Sequence, residues 1–207
     1  MISITLILVG ITVIISLQAM NNPAMKQKLI HSPYAEQRTG EYHRLLTSGF
    51  IHADFMHLFI NMFVLWQFGD QVEKMFILQF GTLMGRINYL LLYLVGIVIA
   101  DLPSYYKHKD NPYYAALGAS GAVSAIMFSY ILFWPWSTLL LYGIIPIPGI
   151  VGALLYLGYS HWAAKNARDN IGHDAHFYGA VFGFFFTIAL HPAWAGEFIT
   201  NLMNFSF

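Results

Sequence analysis

A serine set among glycines, Gly118-Ala119-Ser120-Gly121, and a histidine in Ala175-His176-Phe177-Tyr178-Gly179 both stand at the head of apolar stretches. A serine hydroxyl is a poor nucleophile until a neighbouring base accepts its proton, so Ser120 and His176 together supply attack and proton return. Attack on an amide carbonyl creates an oxyanion, which needs donors already aimed at it. A helix beginning at Ser120 offers free backbone N–H groups, its own included, and the positive end of the helix dipole. On another apolar stretch His57 and Asn61 are four residues apart, hence on one helix face, and add a ring N–H and a side-chain amide. The chemistry expected is peptide-bond hydrolysis by a Ser120–His176 dyad, with His57, Asn61 and Ser120 stabilising the oxyanion and no cofactor or metal.

The surroundings of these residues say where that chemistry takes place. Of 207 residues, 57% are hydrophobic and 10% charged, against about 25% charged in an ordinary soluble domain. Mean hydropathy is +0.57. The chain reads as a membrane protein whose partners are the lipid bilayer and transmembrane protein substrates. Its net charge of zero gives no reason to expect nucleic acid, and the absence of cysteine excludes disulfides and thiolate metal sites. The composition leaves the oligomeric state open. Polar groups at membrane depth are costly and mark function by default.

Lipid requires backbone groups to pair within helices or closed barrels, and a span takes roughly 20 residues. Apolar runs predict six helices, at about 2–20, 52–69, 86–101, 119–134, 150–164 and 175–191, in one domain over residues 1–207. Trp134-Pro135-Trp136 and Ile145-Pro146-Ile147-Pro148-Gly149 interrupt the neutral run 111–164, because proline removes a donor and clashes in a helix interior. The connection Asn21–Gly49 mixes Tyr34, Tyr42, Leu45 and Leu46 with Lys26, Lys28, Arg38 and Arg44, the pattern of an amphipathic segment at the membrane surface. Counting crossings puts the starts of helices two, four and six on one side. His57, Asn61, Ser120 and His176 then lie within roughly 10 Å of the same surface, where water can reach them. Gly179 and Gly183 extend the face of His176, and Gly121 with Ala125 forms a matching small-residue face, so close packing of helices four and six would bring Ser120 and His176 together.

The chain resembles the rhomboid family of intramembrane serine proteases. Residues 42–52, YHRLLTSGFIH, are similar to its first-loop segment, and His52 to Asn61 to its H-x-x-x-x-H-x-x-x-N helix. Residues 118–121 match its G-x-S-G and 175–183 its A-H-x-x-G-x-x-x-G. The resemblance implies an all-α, six-transmembrane-helix bundle with Ser120 as nucleophile, His176 as base, and His57 and Asn61 at the oxyanion. It also implies a multi-pass protein of the bacterial inner membrane that cleaves transmembrane substrates near helix-destabilising residues. A lateral gate between helices two and five would involve 62–66 and 151–162. Two positions depart from the pattern. His43 stands where tryptophan commonly precedes the arginine, and Ser124 where a tyrosine often stacks on the catalytic histidine; Phe128 and Tyr178 are the neighbouring aromatics able to take over that stack.

Other roles are assigned more plainly. His52 is expected to be structural, Asp54 and Asp174 to be helix N-caps, Asp101 and Asp110 to mark the watery ends of the third loop, and Trp134, Trp136 and Trp162 to form an interfacial belt. No H-E-x-x-H is present for a zinc mechanism, and Asp70 has no second intramembrane aspartate. A catalytically silent, client-binding relative is the alternative function, although such relatives typically lose the serine or the histidine. A transporter using His52, His57, His173 and His176 is a second. The positive charges gather on the catalytic side (Lys26, Lys28, Arg38, Arg44, Lys107, Lys109, Lys165, Arg168) against Lys74 and Arg86 opposite. By charge this face is cytoplasmic, whereas the family resemblance places it outside.

Overall fold

A computed structural model describes residues 3–141, 144–167, 169 and 171–204. Ile2 of the expected first helix and Arg168 of the charge tally lie outside the described residues. The elements follow in the order α1 (Ile4–Met20), α2 (Pro23–Leu29), α3 (Pro33–Thr39), α4 (Arg44–Thr47), α5 (Phe55–His108), α6 (Ser120–Phe133), β1 (Thr138–Leu141), β2 (Ile145–Pro148), α7 (Gly149–Asn166), α8 (His173–Leu190) and α9 (Ala193–Met203). Each apolar run read from the sequence is matched by a helix or helical arm. Large apolar side chains such as Leu6, Ile14, Phe59, Trp66, Leu154 and Phe185 point outward, as they do in a protein whose exterior meets lipid rather than water.

Helices two and three of the sequence reading are one element, α5, reversing direction at Gly81 (φ 76°, ψ 167°). The expected loop 70–85 is helical on both sides of that residue. A glycine tolerates this left-handed backbone at little cost, and Gly85 lets the returning arm press on the backbone at Ile77. Polar residues in this stretch are absorbed locally. Lys74 pairs with Asp70 at 2.6 Å one turn away. Glu73 is buried and accepts from the Ile4 N–H at 2.9 Å and from the Thr5 N–H and hydroxyl at 3.0 Å each, capping α1.

The other departures from an all-helical chain follow the prolines. Strands β1 and β2 pair antiparallel, Thr138 opposite Pro148 and Leu141 opposite Ile145, so the proline-broken stretch forms a small hairpin. Helix α9, unforeseen in the sequence, turns by 116° from α8 after His191-Pro192, and its C-terminal carbonyls at Asn201 and Leu202 accept from the Trp136 indole at 3.1 and 3.2 Å.

Helix α6 is the axis of the packing. Gly121 through Ile126, Phe128, Ser129 and Ile131 through Phe133 are all buried, enclosed by both arms of α5 and by α8. Its 14 residues extend only about 21 Å, short of the roughly 30 Å of bilayer hydrocarbon. The first loop is a scaffold of short helices stitched together by hydrogen bonds. Arg44, 8% exposed, donates to the carbonyls of Gln27 and Ile30 and to Glu41. Buried His31 lies 2.6 Å from Glu36 and 3.0 Å from Ser104 of α5.

Candidate active site

The loop before α6 is held by its backbone. His31 and Ala116 exchange two N–H···O bonds of 3.0 Å, tying the first loop to the third, and the Gly118 N–H donates to the Ser48 carbonyl at 3.0 Å. The Ala119 N–H donates to Nε2 of His52 at 3.3 Å. His52 must then carry its proton on Nδ1, which lies 2.9 Å from Ser16 Oγ, and that hydroxyl donates onward to the Phe50 carbonyl at 2.9 Å. Both ring nitrogens are occupied and the ring is fully buried. His52 is held in place as a structural residue, as expected. Among the described residues no three histidine, aspartate or glutamate side chains come together as a metal site.

Helix α6 starts at Ser120, and its first intrahelical bond runs from the Val123 N–H to the Ala119 carbonyl at 2.9 Å. The amides of Ser120, Gly121 and Ala122 therefore face out of the helix end without an intrahelical partner. Against this end lies His57. A β-carbon on Gly118 would sit 2.7 Å from His57 Cε1 and 2.8 Å from Nε2, and Gly118 itself has φ 120°. Asp54 caps α5 by accepting from the His57 N–H at 2.8 Å, as expected, and the His52 and His57 rings meet edge to face at 4.9 Å. Asn61, 5% exposed, spends one of its two amide hydrogens on the His57 carbonyl at 2.9 Å. Gly118→Ala faces a strained φ and an overlap with the imidazole together, and backbone strain alone costs about 1–3 kcal/mol. In a working hydrolase it is expected to lower turnover at least ~100-fold, the scale of losing one oxyanion donor, well beyond what the accompanying fall of several degrees in melting temperature accounts for, checked by paired activity and thermal-unfolding measurements.

The small-residue faces meet as the sequence predicts. A β-carbon on Gly179 would overlap the Gly121 carbonyl, and one on Gly183 the Ala125 carbonyl; one on Gly121 would lie 3.5 Å from the Ala175 carbonyl. Farther along, the Thr187 and Ser129 hydroxyls pair at 2.8 Å. Ser120 adjoins Gly121 and His176 adjoins Ala175, so the contact sets both at one junction of α6 and α8. No hydrogen bond joins Ser120 to His176 in this geometry. The imidazole is held by rings instead, with Tyr156 at 5.9 Å and 26° between planes and His173 edge-on at 6.0 Å. Catalytic hydrogen bonds commonly tighten only once substrate is bound.

A rhomboid-domain family model matches residues 39–193, a stretch holding all four of these residues and the helices that carry them. The chain belongs to the rhomboid family. It is 32% identical over 151 residues to the RHOMBOID-like protein 12, mitochondrial, of Arabidopsis thaliana, covering 70% of this chain and 45% of that one. It is 30% identical to Rhomboid protease GluP of Bacillus subtilis (80% of this chain, 29% of that one) and 29% identical to Rhomboid protein 1, mitochondrial, of Saccharomyces cerevisiae (67% and 39%). The chain spans less than half the length of each. Family membership makes it an integral membrane protein. Relatives that are mitochondrial do not fit the bacterial inner membrane expected from the sequence.

Against the rhomboid pattern, several side chains stand elsewhere than expected. Asp174 lies inside the first turn of α8 rather than at its cap, because Gly172 takes that place, and it pairs with Lys107 at 3.0 Å. Asp101 is no watery loop end: α5 continues seven residues past it, and its carboxylate accepts from Ser48 Oγ at 3.0 Å. Asp110 is exposed just beyond α5, as expected. His43, at the tryptophan position, is exposed and meets the Lys28 carbonyl at 3.3 Å. Arg44 and Lys107 are neutralised by Glu41 and Asp174, which reduces the positive excess on this face. In the loop before α8, the His173 imidazole and the Ile171 N–H hold the Asp169 carboxyl below the usual range. Neither aromatic expected to stack on His176 does so: Phe128 is buried against Tyr156, and Tyr178 points outward. The ring on His176 is Tyr156, from α7. Its signal in the sequence was its place on the Ala153, Ser160 and Ala163 face of α7.

Proposed function

We propose that this rhomboid is an intramembrane serine endopeptidase with six membrane-crossing segments, the two arms of α5 being two of them. The observation that carries this reading is the junction where α6 and α8 interlock through Gly121 and Gly179, with Ser120 on one side and His176 on the other. His176 takes the Ser120 proton as Oγ attacks the scissile carbonyl of a transmembrane substrate. The amides at the start of α6, the Asn61 side chain and the His57 ring N–H receive the developing oxyanion. His176 then protonates the leaving amine, and water attacks the acyl-enzyme with the same residue as base. No step needs a metal or cofactor. Short α6 keeps the nucleophile where water arriving from one face can reach it.

The test is labelling with a fluorophosphonate probe, which reacts with an activated serine and not with an ordinary one. Mass mapping should place the adduct on Ser120 of the detergent-solubilised or reconstituted protein and find none in His176→Ala. A folded wild type that stays unlabelled and leaves several transmembrane substrates intact would establish the client-binding reading instead.

A further inference from the structure

Resting on the protease reading above, we propose that Tyr156 of α7 is a positioning residue for His176, so that the catalytic base is oriented by a helix that carries neither it nor the nucleophile. Two independent contacts place Tyr156 there. Its ring lies nearly parallel to the imidazole, with centroids 5.9 Å apart, within the range of an offset aromatic pair. Its hydroxyl lies 2.6 Å from Ser124 Oγ, which in turn donates to the Ser120 carbonyl at 2.7 Å. A carbonyl only accepts and a serine hydroxyl has one proton, so the direction is settled: Tyr156 O–H donates to Ser124, and Ser124 to Ser120. One side chain thus touches the base with its face and the nucleophile's backbone through one intervening hydroxyl. Serine at 124 is what permits this, since its small side chain leaves the space above His176 open to a ring from α7.

The hold of α7 on the bundle makes the arrangement consequential. Its buried residues are Gly149, Ala153, Ser160 and Ala163, all small, whereas Leu154, Leu155, Tyr159 and Trp162 face outward. On one side of Tyr156 along the helix, an apolar cavity of about 210 Å³ is lined by Ala153 and Leu154 together with Phe184 and Phe185 of α8. On the other, a cavity of about 370 Å³ opens between His161 and Lys165 and the start of α8. Tyr156 bridges these gaps at the level of the site. Any displacement of α7 from α6 and α8 therefore withdraws the ring from His176, and the base is held in line only while α7 is seated.

The experiment compares Tyr156→Phe and Tyr156→Leu with wild type in proteoliposomes. It measures kcat and KM for a transmembrane substrate, thermal stability, and the rate at which diethyl pyrocarbonate modifies His176, mapped by mass spectrometry. Leucine should lower kcat about 10-fold with KM little changed, the scale of a lost aromatic pair, and should speed modification of His176. Phenylalanine, keeping the ring, should hold kcat within about twofold. Leucine leaving kcat and His176 modification unchanged, or phenylalanine as impaired as leucine, would overturn the proposal. Should leucine unfold the protein, Tyr156→Met replaces it with the same readouts. Modification of His176 needs no turnover. A wild type that fails to cleave would sink the protease reading while this rate still decides whether Tyr156 covers the imidazole.

Discussion

Ser120→Ala and His176→Ala should each reduce cleavage of a reconstituted transmembrane substrate at least ~1,000-fold, and the double variant should be no worse than either alone. Residues that act as a unit in one proton transfer lose their effect together, and what survives is the contribution of substrate binding and the oxyanion donors. Neither change should unfold the protein. Ser120 contributes its backbone amide to the start of α6 whatever its side chain, and His176 is only half-buried. Melting temperatures within a few degrees of wild type, measured on the same preparations, separate loss of chemistry from loss of structure. Cleavage that persists in Ser120→Ala would reject the mechanism outright.

The second large effect is on the seam between α6 and α8. Gly183→Val would drive a side chain into the Ala125 carbonyl and backbone, with no flexible neighbour to yield. Forcing bulk into a packed interior costs about 1–3 kcal/mol and more where only backbone stands opposite, so the melting temperature should fall sharply. The activity that remains should be far below the folded fraction, because separating α6 from α8 also separates Ser120 from His176. Gly158→Val is the matched control: it lies on α7 with nothing within 4 Å of a β-carbon, and should leave both measurements near wild type. Equal behaviour of the two variants would show that the small-residue seam does not position the site.

Much of this arrangement is legible along the chain because membrane helices leave short-range marks. Apolar runs interrupted by Pro135, Pro146 and Pro148 predict where helices stop, and spacing of four predicts which residues share a face. The seam of Gly121 and Ala125 against Gly179 and Gly183 was predicted on that basis alone, as was Asp54 as a cap. Errors arose where a side chain's partner is distant in sequence. Asp174 has the position of a cap but pairs with Lys107, and Asp101 has the position of a loop end but pairs with Ser48. The helical course of 70–85 is hidden because a buried Glu73 makes sense only once Thr5 of α1 is seen beside it.

By itself, then, the sequence determined the membrane setting, the order of the helices, the interlocking glycine faces and the polar residues gathered at the helix starts. These are properties of composition and of periodicity within single helices, which need no knowledge of what lies opposite. Only the tertiary structure decided how the neighbours of those residues are used. It makes the first loop a scaffold that holds Gly118 and Ala119 through Ser48 and His52. It leaves Ser120 and His176 adjacent without a bond, and it brings the ring facing His176 from α7. Each of these depends on the packing of helices far apart in the chain, where any of several aromatic residues had the right chemistry and geometry alone selected Tyr156.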